Sequence, residues 1–378
     1  MRQKVVWFLI ALLAGSVFFV SAHPSEGNIQ YTSPEVHKLR GENYAALLLS
    51  TPNGLPLNIE ETMKTVQEFL LKSSPNAKWH AYAVPELPKD VLLNGYGIKV
   101  TKDGRIDVLV LASRRGVVLK PVKVREELAE WGKKAPEFMP DKVPKEKVGV
   151  PEGWKVETVD SSGNVRTYTG ESSPYWHNFG RLELRLDDPP YGKLYAQFYM
   201  WGLWNDNPPA EERFLCTTDE NGHGTYRVTP GIAIGGNYGY YLTDDIKIIH
   251  DWGVEPGLNG RLGVVKPVGV INNYEYVTVT IGPVSYPLAT EGYEVHGDAI
   301  DPLAVWDFDI VHNGESSRHS IEFMPSSEGV VKESVLHDGN WHSVIKVKLQ
   351  AKFEYDMILG FIKSHTSEAA LIWRVKVG

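Results

Sequence analysis

The chain has 378 residues, 42% of them hydrophobic and 23% charged, with a formal net charge of −8. That length allows more than one domain, and the composition is that of a globular protein. The acidic balance excludes nucleic acid as the main partner, because phosphate binding needs a basic footprint. The single cysteine, Cys216, excludes an intramolecular disulfide.

Arg2 and Lys4 precede an apolar run from Val5 to Val20, which ends in the small-residue site Val20-Ser21-Ala22. A spanning helix needs about 20 apolar residues, so residues 1–22 are expected to be a cleaved secretory signal peptide. The mature protein is then expected to be secreted or held at the extracellular cell surface, with no transmembrane segment after signal cleavage. Glutamine occurs only at positions 3, 30, 67, 197 and 350, and with one cysteine this is a composition of thermophile proteins. Residues 23–39 read as a polar N-terminal tail. A signal junction that leaves His23 first resembles the copper-dependent polysaccharide monooxygenases, and the resemblance implies copper chelation by the terminal amine and the His23 ring.

Residues 40–134 are patterned as a small α/β domain. Tyr44 to Ser50 is a short apolar run, expected as a buried strand. Asn58 followed by Glu61 forms a capping-box-like start, and Ile59, Met63, Val66 and Leu70 recur at helical spacing. Lys78 to Val84 reads as a strand, with His80 on it in a structural role. Gly97 to Thr101 and Arg105 to Ala112 flank Lys102-Asp103-Gly104, whose Asp-Gly pair predicts a hairpin. Val124 to Lys134 reads as a second helix. Residues 135–153 carry four prolines and three lysines without apolar periodicity, which predicts an extended, protease-accessible linker.

From 154 to 378 the pattern is β. Arg181 to Leu186 alternates strictly. Lys193 to Met200 places Leu194, Ala196, Phe198 and Met200 on one face, with Tyr195, Gln197 and Tyr199 on the other. Tyr274 to Ile281, His342 to Leu349 and Ala370 to Val377 follow suit. The expected fold is an α+β N-terminal domain followed by an all-β, jelly-roll-like sandwich. The run His337 to Val344, HDGNWHSV, is similar to one found in laminin-G-type jelly rolls, which implies the fold and no activity.

The densest chemistry lies between Glu291 and His312. Glu294, His296 and Asp298 alternate, Asp301 follows, and Asp307 and Asp309 alternate again. On extended chain, alternate residues share a face about 6–7 Å apart. That spacing suits a metal held by Glu294, His296, Asp298 and Asp301, with calcium or zinc the fitting ions. It equally suits acid–base catalysis by Asp307, Asp309 and Glu294, since crowded carboxylates separate their pKa values. Asp244, Asp245, His250, Asp251 and Trp252 form a second acidic and His group, from which His250-Asp251 can meet the Glu294 cluster across strands. Tyr199, Trp201 and Trp204 precede a polar loop and are candidates for stacking on a ligand. Asp219 to Thr225, DENGHGT, resembles the histidine motif of subtilisin-like serine proteases. The Gly-Thr-Ser nucleophile motif that such proteases require occurs nowhere, so the stretch is read as a hairpin loop between FLCTT and TYRVT, suited to an ion.

Two functions fit these readings. One is a binding protein whose β-sandwich holds an extracellular glycan or peptide beside a divalent ion. The other is a secreted hydrolase, a peptidase or glycosidase, made as a precursor in which residues 23–150 are a prosegment and carboxylates of the β domain do the acid–base work.

Overall fold

The computed structural model describes residues 29–117, 120–138, 156–159, 165–168, 176–203, 211–217, 226–230, 241–266, 268–281, 284–310, 325–336, 338–356 and 362–377. The signal peptide, His23, Trp204, the 219–225 motif and most of the 135–153 segment lie outside them.

The described chain is mostly β and is organised as two large sheets. Strands are numbered in chain order. The first sheet has ten strands. Its order is β1 (Glu35–Arg40), β2 (Tyr44–Ser50), β4 (Val91–Thr101), β5 (Ile106–Arg114), β8 (Trp176–Asp188), β9 (Gly192–Leu203), β10 (Glu211–Thr217), β17 (Ser326–Lys332) and β13 (Arg261–Lys266), with β11 (Tyr226–Pro230) also on β9. The second sheet runs β14 (Gly269–Ile281), β15 (Val284–Ile300), β16 (Leu303–Ile310), β12 (Leu242–Asp251), β18 (His342–Asp356), β19 (Ile362–Val377) and β3 (Trp79–Glu86). β6 (Val156–Val159) and β7 (Val165–Tyr168) pair with each other. The sheets share one apolar core, which takes Val108, Leu184 and Phe198 from the first and Ile248, Trp306 and Trp373 from the second. This is the arrangement of a β-sandwich.

The strand patterns explain which faces are covered. β8 alternates: Leu182, Leu184 and Leu186 enter the core, and Arg181, Glu183 and Arg185 point the other way. β2 and β5 do not alternate, because both of their faces are buried. Leu47 and Leu49 join the inter-sheet core, whereas Leu48, Leu109 and Leu111 pack outward against helix α2 (Pro121–Lys133) through Val124, Leu128 and Trp131. β5 and β8 run parallel. A parallel pair needs a long crossover, and α2 lies within it. Gly97 on β4 is required by this packing, since a Cβ there would come within 2.6 Å of the Trp131 ring. Helix α1 (Ile59–Ser73) starts as expected, with the Glu61 backbone N–H donating to Asn58 Oδ1 at 3.0 Å. It buries Met63, Val66, Phe69 and Leu70 and packs on β2, β3 and β4. The Lys102-Asp103-Gly104 turn joins β4 to β5 with Gly104 at φ +93°.

Two expectations change. Residues 40–134 do not build a small sheet of their own: β1, β2, β4 and β5 extend the first large sheet, and β3 forms one edge of the second. FLCTT and TYRVT do not form a hairpin either. β10 pairs with the Tyr199–Gly202 end of β9 and β11 with its Gly192–Ala196 end, both antiparallel, so they follow one another along the same strand edge.

Under α2 the outward face of the first sheet carries charge. Lys99, Asp107, Arg181 and Tyr199 stand in one row across β4, β5, β8 and β9. Lys99 Nζ donates to Asp107 Oδ2 at 3.1 Å, and Arg181 donates to Oδ1 at 3.0 Å and Oδ2 at 3.3 Å. Arg181 Nη1 also reaches Glu137 at 2.7 Å, and the Lys99 ammonium lies 3.8 Å from the Trp131 ring centroid. Asp107 is 0% and Lys99 1% exposed, so both charges are withdrawn from water. Among the described residues no helix is long and apolar enough to cross a membrane.

Candidate functional site

The site is the outer face of the second sheet, where β15, β16, β12, β18 and β19 lie side by side. Register sets its rows. Glu294, Asp309, Asp245, Lys352 and Thr366 form one row; His296, Asp307, Lys247, Gln350 and Glu368 form the next. Alternation fixes which side chains face out. Ala304, Trp306, Phe308 and Ile310 of β16 are buried, while Asp307 and Asp309 point away from the core. A bulge between Thr243 and Asp245 turns both Asp244 and Asp245 outward.

Five carboxylates thus gather on three adjacent strands: Asp244, Asp245, Glu294, Asp307 and Asp309. Lys247 donates to Asp307 Oδ2 at 2.7 Å, and Lys352 to Asp244 Oδ2 and Glu354 Oε1, each at 2.8 Å. His296 Nε2 pairs with Glu294 Oε1. The crowding shows in the acidities. The Asp245 carboxyl is pushed up to about 7, first by burial and then by neighbouring Asp307. Asp309 is raised by partial burial and by the charges of Asp244 and Glu294. An acid that keeps its proton near neutrality therefore sits beside a carboxylate held by Lys247. Such a surface attracts cations and can exchange a proton with a bound group.

The structure brings Glu294, His296, Asp307 and Asp309 together and separates the other candidates from them. Asp298 shares their face of β15 but stands one row beyond His296, opposite Val305 rather than a carboxylate, and Asp301 Oδ1 accepts the Leu262 backbone N–H at 2.7 Å. Among the described residues no three His, Cys, Asp or Glu are placed to hold a metal ion, so the expected calcium or zinc finds no three-ligand site there. Tyr199 and Trp201 are 1% and 0% exposed, and a buried ring has no open face for a ligand. Asp245, Lys247 and Lys352 complete the site. The signal for Asp245 and Lys247 was their alternation with Ile246 and Ile248, and for Lys352 its place between Ala351 and Phe353.

His250 does not join the acidic face. It points into the core, with Nδ1 2.8 Å from Ser327 Oγ and its ring edge-on to Trp306, while Trp252 Nε1 donates to the same hydroxyl at 2.8 Å. Burial pushes the imidazole down to about 3. The unfolded chain takes up this proton near pH 6.5 and the fold does not. Stability is therefore lost as pH falls from 6.5 towards 3, on the order of 3 kcal/mol by pH 4. Melting temperatures of wild type and His250→Phe at pH 7 and pH 4 check this. The variant is expected to lose less on acidification, and an equal loss would refute the assignment.

No protein-family model matches the chain, and no curated protein matches it.

Proposed function

We propose that this is a secreted or cell-surface binding protein that takes an extracellular peptide or glycan on the outer face of its seven-stranded sheet. The observation that supports it is the gathering of Asp244, Asp245, Glu294, Asp307 and Asp309 on three adjacent strands with only two lysines among them. Like charges held this close oppose folding, and a cationic ligand turns the repulsion into attraction. The sign of the charge favours a peptide with positive groups over a neutral glycan.

Calorimetric titration with acetylated, amidated tetralysine at low salt tests the reading. The double variant Asp245→Asn, Asp309→Asn is expected to bind at least about tenfold more weakly, a loss near 1.4 kcal/mol. It should also melt higher than wild type at pH 8, because two crowded charges are gone. Unchanged affinity would overturn the proposal. A second reading, a hydrolase, is favoured by Asp245, whose carboxyl is pushed up to about 7 by burial and by neighbouring Asp307, which suits a general acid beside a carboxylate. In that case peptide or glycoside hydrolysis should fall in Asp245→Asn and lose its dependence on a group titrating near pH 7.

A further inference from the structure

The connection between β12 and β13 crosses from the second sheet to the first and is held by a charged contact away from the acidic face. Trp252 and Leu258 anchor it in the core, and Glu255 stands between them, just before the helical turn Pro256–Leu258. Its partner is the start of β18. His342 opens that strand in register with Val375 of β19, and both residues are buried. Arg374 and Lys376, on either side of Val375, alternate to the other face, where Arg374 donates to the Trp341 carbonyl at 3.0 Å.

Both nitrogens of the His342 ring meet a carboxylate. Nδ1 lies 2.7 Å from Glu255 Oε1, and Nε2 lies 2.8 Å from Asp338 Oδ1. The carboxylates are fixed in turn. Glu255 Oε2 accepts the Ser343 backbone N–H at 2.7 Å, and Asp338 accepts the Asn340 backbone N–H at 2.7 Å and its side-chain amide at 2.9 Å. Among the described residues, Glu255 and Asp338 are the charged groups that face the ring. Neutral imidazole has one N–H and imidazolium two, so the arrangement is complete only with the ring charged. Burial by itself lowers the His342 pKa, but the bonds to Asp338 and Glu255 outweigh it and hold the ring above its ordinary value. Bonds from His342 and Asn340 hold Asp338 below the usual carboxylate range.

We propose that Glu255, His342 and Asp338 form a pH-operated latch, in which the imidazolium clamps the β12–β13 connection to β18 and loss of its proton frees the connection at Glu255. Glu255 is the partner released because it is 87 residues away in sequence, whereas Asp338 is four away and already ordered by Asn340. A neutral ring keeps one N–H for Asp338 and turns a bare lone pair towards Glu255. The latch is therefore closed below the ordinary imidazole range and opens as pH rises through the raised value. It acts on the central strand of the second sheet, because β12 runs from Asp244, Asp245 and Lys247 directly into the latched connection. His250 on the same strand responds in the opposite sense, being buried without a carboxylate and neutral.

The experiment is an NMR titration of the full chain with ¹⁵N-labelled histidine, the His342 signals being those lost in His342→Gln. The ring is expected to carry protons on both nitrogens at low pH and to lose one with a midpoint above about 6.5, where a free imidazole titrates. Amide exchange of Ser343, corrected for the intrinsic effect of base, reports the latch itself. It is expected to quicken at least about tenfold between pH 6 and pH 9, as one pKa unit of coupling to closure requires. In Glu255→Gln and in His342→Gln that pH dependence should vanish, with exchange already fast at pH 6. A His342 midpoint at or below about 6.5, or Ser343 exchange in the wild type that does not change with pH after correction, would overturn the inference. Both readings come from the wild type, so they decide the matter even where a variant does not fold.

Discussion

Replacing Asp107 with alanine is expected to cost about 3–5 kcal/mol, among the largest losses available from one side chain. The substitution removes the only carboxylate that both Lys99 and Arg181 contact at 3.0–3.3 Å in this row, and Lys99 has almost no access to water. Lys99 then bears its desolvation without the carboxylate it donates to, and Arg181 keeps Glu137 but loses its two bonds to Asp107. The triple change Lys99→Met, Asp107→Leu, Arg181→Met should recover most of the loss, because removing all the charges removes the penalty too. Denaturant unfolding of the single and triple variants measures this. A loss under about 1 kcal/mol for Asp107→Ala would show that the row does not act as a buried charge network.

The second large effect concerns cleavage. The composition of residues 135–153 invites a lysine-directed protease. If residues 23–150 were a removable prosegment, a nick would free a β fragment of about 25 kDa. The sheets lead to a different outcome. β5 pairs with β8 from Ile106↔Gly180 to Ser113↔Asp187, and β3 pairs with β19 from Trp79↔Val377 to Glu86↔Ala370. Leu47, Val66, Ala81 and Val108 share the inter-sheet core with Leu184 and Trp373. The two pieces of a nicked chain are therefore expected to co-elute on gel filtration in native buffer and to part only in denaturant. A freely eluting β fragment in native buffer would sink this expectation and favour a precursor.

Local features were legible in the sequence. The Asn58 cap, the Asp103-Gly104 turn and the alternation of β8 and β9 depend on residues a few positions apart, and each appears where the chemistry put it. The same alternation correctly sets Asp307 and Asp309 on one face of β16. Pairing partners were not legible, because they join distant segments. Nothing near Trp79 announces that β3 leaves its sequence neighbours for the other sheet. Alternation also divides β9 into two faces without saying which is covered, so Tyr199 and Trp201 read as ligand platforms although they are buried. In β12 the regular alternation after the bulge at Thr243–Asp245 puts Asp245 and Lys247 on the acidic face and buries His250 with Ile246 and Ile248, so the pair His250-Asp251 is split between the two faces.

The pairing of β3 with β19 also sets a timetable. Trp79 meets Val377, about 300 residues further along. A ribosome adding about 5–20 residues per second exposes β3 for tens of seconds before that partner exists. During this interval Ala81, Tyr82 and Ala83 have no finished sheet to enter, and an open strand edge invites pairing with other chains. The seven-stranded sheet closes at that edge only after β19 has been made, so β3 is the strand of that sheet that waits longest for its neighbour.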